Sequence, residues 1–133
     1  NAYVRGTTLI DRDAHVGHAV EIKNSVIMAD TNVAHLSYVG DSVLGPRVNF
    51  GAGTVVANLR HDDGTVPTTV KGETVDTGRR KYGCVCGPGA KTGVNTSLDP
   101  GVVLDADART DPGAVVSRGR RPAESEADTG SEE

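Results

Sequence analysis

A six-residue spacing governs most of this chain. Val4, Ile10, Val16, Ile22, Met28 and Ala34 stand six apart, and two residues before each come Ala2, Thr8, Ala14, Val20, Val26 and Asn32, nearly all small or β-branched. The double column returns as Leu44, Phe50 and Val56, behind Ser42, Val48 and Thr54. It returns again as Cys86, Thr92, Leu98, Leu104, Thr110 and Val116, behind Cys84, Ala90, Thr96, Val102, Ala108 and Ala114. Six residues match neither a helical heptad nor the alternation of a long strand. The chain must therefore coil with short straight sides and regular corners, where Gly, Asp and Asn supply tight backbone geometry. Three sides close a turn, and the inward residues stack on those of the turns above and below. The expected fold is all-β, a parallel β-helix built from hexapeptide repeats.

Composition agrees. Aromatic residues make up 3% of the 133 residues and tryptophan is absent, so small and β-branched side chains must fill the interior. Cys84 and Cys86 offer neither a disulfide framework nor zinc spacing, and read as buried small hydrophobes. A net charge of −4 argues against nucleic acid as the main partner. No apolar run approaches the ~20 residues of a membrane span. The repeat is already running at Val4, and the first residue is Asn1, which suggests a fragment of a longer protein.

Two breaks in phase stand out. Ten residues separate Ala34 from Leu44, which predicts a bulge over His35 to Tyr38. From Ala57 to Tyr82 the repeat lapses into a long loop carrying His61-Asp-Asp-Gly64, Pro67 and Arg79-Arg80-Lys81, then resumes in phase, as an excursion from an undisturbed coil would. The exposed strand surfaces of such a coil favour side-by-side association. Beyond Val116 the aliphatic positions stop. Residues 1–118 are therefore expected to form the β-helix, and residues 119–133 a disordered acidic tail.

Three motifs, Val20-Glu-Ile-Lys-Asn24, Ala34-His-Leu-Ser-Tyr-Val-Gly-Asp41 and Val48-Asn-Phe-Gly-Ala-Gly-Thr54, resemble the acetyltransferase domain of bifunctional N-acetylglucosamine-1-phosphate uridyltransferases. Ala57-Asn-Leu-Arg-His-Asp62, Asp76-Thr-Gly-Arg-Arg-Lys-Tyr-Gly83 and Lys91-Thr-Gly-Val-Asn95 are similar to the archaeal branch of bifunctional sugar-1-phosphate nucleotidylyltransferases. The resemblance implies a left-handed coil and a C-terminal domain that works as a cytoplasmic homotrimer with sites between subunits. It also implies an upstream nucleotidylyltransferase domain in the same polypeptide. The implied reaction moves an acetyl group from acetyl-CoA to the amine of glucosamine 1-phosphate, or of galactosamine 1-phosphate, with no metal. On the same ground His35 is the catalytic histidine. Arg5, Lys23, Tyr38, Asn49 and Asn58 hold the sugar phosphate, and the backbone of Ala52 faces the thioester. Val94 stands where the bacterial relatives have a serine near acetyl-CoA, and Leu59 where they have a tyrosine, so the CoA contacts of this chain differ from theirs.

The residues suit that chemistry. Only a free amine attacks a thioester, and an imidazole titrating near neutrality can take its proton. A backbone N–H in the Phe50-Gly51-Ala52-Gly53 turn could meet the developing oxyanion. Arg5 and Lys23 lie eighteen residues apart, one turn of a three-sided coil, where two stacked cations could clamp a phosphate. Arg80 and Lys81 could meet the phosphates of CoA or of the sugar from a neighbouring subunit, or line a solvated loop. His15, His18 and His35 do not match the zinc spacing of β-helix carbonic anhydrases. The competing expectation is a non-catalytic β-helix serving oligomerisation or regulation, as in some glucose-1-phosphate thymidylyltransferases.

Overall fold

The structure is a computed structural model that describes residues 1–118, so the tail expected from Gly119 onward lies outside the described residues. The chain winds as a left-handed parallel β-helix with three faces. The first face stacks β1 (Tyr3–Arg5), β4 (Glu21–Lys23), β7 (Tyr38–Gly40), β10 (Val55–Val56), β15 (Ser97–Leu98) and β17 (Val115–Val116). On the second lie β2 (Leu9–Ile10), β5 (Val26–Ile27), β8 (Val43–Leu44), β13 (Val85–Cys86) and β16 (Val103–Leu104). The third holds β3 (His15–His18), β6 (Asn32–His35), β9 (Asn49–Phe50) and β14 (Lys91–Thr92). No helix among the described residues is long and apolar enough to cross a membrane.

Inside runs a single column of apolar side chains. Ile22, Ile27, Val33, Val39, Leu44, Val56, Leu98 and Leu104 are fully shielded, with Phe50 and Cys86 nearly so. Each aliphatic side chain buried in this way contributes about 1.5–3 kcal/mol. Cys84 and Cys86 are free and buried, with their sulfurs 3.8 Å apart. The contact with Cys84, together with burial, pushes the Cys86 thiol well above its ordinary range.

The register corrects the expected phase. Ile27 and Val33 point inward, where Met28 and Ala34 were expected, and both of the latter are only half-buried. Val39 pairs with Ile22 and is in step. The true irregularities are two five-residue steps, Ile22 to Ile27 and Val39 to Leu44, both at the corner between the first and second faces. No bulge occurs over His35 to Tyr38. That segment is an ordinary corner, turned by Leu36 at φ 52°. At the shortened corner a hydroxyl ladder supports the turn: the Ser42 amide donates to Ser25 Oγ at 3.0 Å, and the Cys84 amide to Ser42 Oγ at 3.0 Å.

The excursion also differs from the expected loop. Val43 and Leu44 pair with Val85 and Cys86, so the coil does close beneath it in register. Within it, however, β11 (Pro67–Val70) and β12 (Glu73–Asp76) form an antiparallel hairpin. Lys71 and Gly72 turn the hairpin at φ 50° and 81°, the two left-handed residues that a tight two-residue turn needs. Val66 is fully buried at its base, and Thr68 Oγ1 donates to the Gly101 carbonyl at 2.8 Å.

The corrected register is testable by paired truncation. Ile27→Ala should cost about 2–5 kcal/mol, as a cavity in a filled column does. Met28→Ala should cost under about 1 kcal/mol. Chemical denaturation of both variants checks this, and the reverse order would restore the uninterrupted six-residue register.

Candidate functional site

Outward positions on the first face stack as Tyr3, Glu21 and Tyr38 in one column and Arg5, Lys23 and Gly40 in the next. Arg5 and Lys23 are therefore in register, as the eighteen-residue spacing predicts. Each has an acid partner. Arg5 Nη1 lies 2.8 Å from Glu21 Oε2, and this hydrogen bond raises the Arg5 pKa, although both groups are open to solvent. Lys23 Nζ lies 2.9 Å from Asp41 Oδ2, and there the acid is only 3% exposed.

Asp41 is the residue that the sequence reading missed. It follows β7 at the shortened corner, with φ 53°. Its Oδ2 accepts from Lys23 Nζ at 2.9 Å and from Asn58 Nδ2 at 2.7 Å, and its Oδ1 accepts from Asn24 Nδ2 at 2.9 Å. Burial pushes the carboxyl up. The hydrogen bonds from Asn24, Lys23 and Asn58 and the Lys23 charge outweigh it, and the net shift is downward. Asn58 Nδ2 also donates to Tyr38 Oη at 3.1 Å. A side chain at position 40 would collide with the Tyr38 hydroxyl and come within 2.6 Å of Asn58 Nδ2, so Gly40 is the space in which these two groups meet. Beyond Asn58 the face continues into a groove of about 570 Å³ floored by Ala57, Asp99 and Ser117 and walled by Leu59, Arg60 and His61.

His35 occupies a different corner, between the third and first faces. It ends β6, stacks in register on His18 and is exposed. Its carbonyl accepts from Ser37 Oγ at 2.7 Å and from the Gly53 amide at 3.2 Å, so the Ser37 hydroxyl is engaged in holding the corner. Asn49 is outward on the third face, paired with Asn32. In the turn after β9, the Gly51 amide donates to the Thr92 carbonyl at 3.0 Å, while the Ala52 amide donates to no group among the described residues. Arg80 and Lys81 lie at the neck of the excursion, where Lys81 bridges Leu59 and Arg80 sits 3.7 Å from Asp63.

The structure thus makes two groups from the expected residues. Lys23, Tyr38 and Asn58 gather around Asp41 with Arg5 one rung away, and His35, Ala52 and Asn49 share the third face and its edge. Arg80 and Lys81 join neither group through the contacts of a single chain. No cluster of three or more His, Cys, Asp or Glu side chains able to hold a metal occurs among the described residues. Asp41 had one signal in the sequence: it lies seventeen residues from Asn24, both at the corner where the six-residue step shortens.

Fold and corner cluster together define a hexapeptide-repeat β-helix domain with a polar site on its outer faces. No protein-family model matches the chain. It is 49% identical over 118 residues, 89% of its length, to a bifunctional sugar-1-phosphate nucleotidylyltransferase/acetyltransferase of Sulfurisphaera tokodaii. Identity is 47% over 107 residues, or 80% of the chain, with the bifunctional protein GlmU of Methanococcus vannielii. It is 39% over 117 residues, or 88% of the chain, with GlmU of Methanocaldococcus jannaschii. The matches span 29%, 26% and 28% of those relatives' lengths. Among solved structures, PerB from Caulobacter crescentus, in complex with CoA and GDP-perosamine, superposes with a TM-score of 0.69 at 22% identity, over 90% of this chain and 47% of PerB. The chain is thus similar to one segment of these bifunctional sugar-1-phosphate nucleotidylyltransferase/acetyltransferases and spans less than a third of their length.

Because the Asp41 carboxyl titrates below its ordinary 3.8 in the fold, its contribution to stability is complete above that value and is lost as pH falls through the folded value. The difference in unfolding free energy between wild type and Asp41→Asn should therefore be flat at higher pH and shrink below about pH 4. Denaturant titrations across that range check it. A difference independent of pH would show that the ion pair does not form.

Proposed function

We propose that this domain is an acyltransferase that moves an acetyl group from acetyl-CoA to the amine of an amino-sugar 1-phosphate, glucosamine 1-phosphate or its galactose-configured counterpart. The observation that carries the reading is the gathering of Lys23, Tyr38 and Asn58 around one buried carboxylate, with Arg5 stacked on the same face, in a chain 49% identical to a named acetyltransferase. The complex of PerB with CoA and a nucleotide-linked sugar is in keeping with it. Lys23 has two N–H donors left beyond its bond to Asp41, and with Arg5 it offers the charge a sugar phosphate needs. His35 takes the proton as the amine nitrogen bonds to the thioester carbon. The unengaged Ala52 amide meets the charge that builds on the carbonyl oxygen. The C–S bond then breaks, the proton held by His35 passes to the departing sulfur, and CoA leaves as its thiol.

The two groups face different sides of the coil. A homotrimer would set the first face of one copy against the His35 corner of the next and complete the site between them. Three exposed apolar side chains border those surfaces, Leu36 at 63%, Val94 at 49% and Val55 at 46%, and a second copy would cover them. The shares of the relatives' lengths that are matched support a longer polypeptide with an upstream nucleotidylyltransferase domain.

Release of CoA thiol from acetyl-CoA in the presence of glucosamine 1-phosphate tests the activity. His35→Ala should lower kcat by about 10²–10⁴-fold, the range of a lost general base. Full activity in that variant would refute the role of His35. If, in addition, saturating CoA leaves the melting temperature unchanged, the domain is non-catalytic, since a ligand that binds only the folded state must raise it.

A further inference from the structure

We infer that Asp41 is a positioning residue that fixes the hydrogen-bonding polarity of the acceptor site, turning Asn58 to present a carbonyl, Tyr38 to present a hydroxyl proton and Lys23 to present N–H donors. The inference rests on the acyltransferase reading above for the identity of the ligand, and on the geometry alone for the orientation of the groups.

An amide side chain can be turned either way about its last bond, and here only one way is possible. At 2.7 Å from an ionised carboxylate oxygen, the Asn58 atom must be the NH₂ nitrogen. Its other N–H goes to Tyr38 Oη at 3.1 Å. Both protons are thus spent inside the cluster, and Oδ1 is left as the recognising atom. It accepts, so the group it reads on a ligand must be a donor, such as a sugar hydroxyl or an amine. The Tyr38 oxygen accepts from Asn58, which leaves its proton to be donated outward. Lys23 is drawn to the same Oδ2, so one atom places a cation, an acceptor and a donor together. Asn24 completes the arrangement from the rung before, holding Oδ1 at 2.9 Å so that the carboxylate plane cannot rotate away. With the acid 3% exposed, water does not substitute for these partners.

Asparagine at position 41 would keep its one accepting oxygen toward Lys23 and Asn58, turn its NH₂ to Asn24, and carry no charge. The hold on Lys23 weakens, and the Asn58 amide is no longer bound to present its NH₂ to a carboxylate, so its accepting oxygen is no longer fixed toward the ligand. The effect falls on the sugar phosphate and not on the acyl donor.

The test is Asp41→Asn in the whole chain, with two readouts. Calorimetric titration with glucosamine 1-phosphate should show its Kd raised at least tenfold, and in turnover the acceptor KM should rise by a similar factor while the acetyl-CoA KM stays within twofold. A purely structural role would lower the yield of folded protein or move both KM values together. An acceptor Kd within twofold of wild type in the folded variant overturns the inference. Should Asp41→Asn not fold, Asn24→Gly removes one clamp and keeps a residue that tolerates the φ of 48°. It should raise the acceptor Kd about threefold or more, and an unchanged value overturns the inference equally. Wild type that binds glucosamine 1-phosphate but transfers no acetyl group would refute the acyltransferase reading and leave the Asp41 test intact. Absence of both binding and transfer would refute both.

Discussion

Everything in this coil depends on each turn returning to the same place above the last. Successive turns share backbone hydrogen bonds along all three faces, so a corner that runs long or short by one residue must be absorbed where it occurs. One left-handed residue per corner does most of this work. Asn24 and Asp41 turn the first corner, Asp30, Arg47 and Asp107 the second, and Ala19, Leu36, Gly53 and Asn95 the third. A non-glycine residue in that conformation costs about 1–2 kcal/mol. It persists where its side chain or its surroundings return something. At Asn24 and Asp41 the return is visible, because the residues that turn the corner also hydrogen-bond to each other across the rungs.

The first corner is also where the coil is irregular. Its step is six residues at Val4 to Ile10 and at Leu98 to Leu104, five at Ile22 to Ile27 and Val39 to Leu44, and it is the point from which the excursion departs after Val56. The shortening draws the Asn24 and Asp41 side chains onto the same spot on consecutive rungs, while Ser25 and Ser42 supply the hydroxyls that satisfy the backbone there. The excursion begins at the next rung and brings Asn58 to the same carboxylate. The site is thus a product of the coil's exceptions, assembled where regular repeats would have left an empty corner.

The sequence alone made the architecture legible, because a six-residue period over some fifteen repeats has no other economical solution. It did not make the phase legible everywhere. Met28 and Ala34 are apolar or small enough to continue the column, so assuming an unbroken step of six carried the count past Ile22 and placed the break twelve residues late, at His35. Lys23, Tyr38 and Asn58 were found through motif resemblance, which does not depend on phase. Asp41 was not singled out, because its role exists only once Asn24, Lys23 and Asn58 are placed around it, and all three lie a turn away. The hairpin went unseen for a related reason. With attention on the six-residue period, the alternation on either side of Lys71-Gly72 read as part of a loop.

The buried carboxylate ties the stability of the domain to the form of its site. Removing a carboxylate from water costs several kcal/mol unless its oxygens find donors. Here they find three, and two of the three belong to groups that would touch a sugar phosphate. Lys23 and Asn58 are therefore already oriented by the fold before any ligand arrives, and binding needs no further ordering of these side chains. The same economy sets a limit on change. A variant chain could alter the acceptor preference at Tyr38, which hangs from the edge of the network, or at Asn49, which lies outside it, more readily than at Lys23 or Asn58, whose loss would leave Asp41 buried with an unmatched charge.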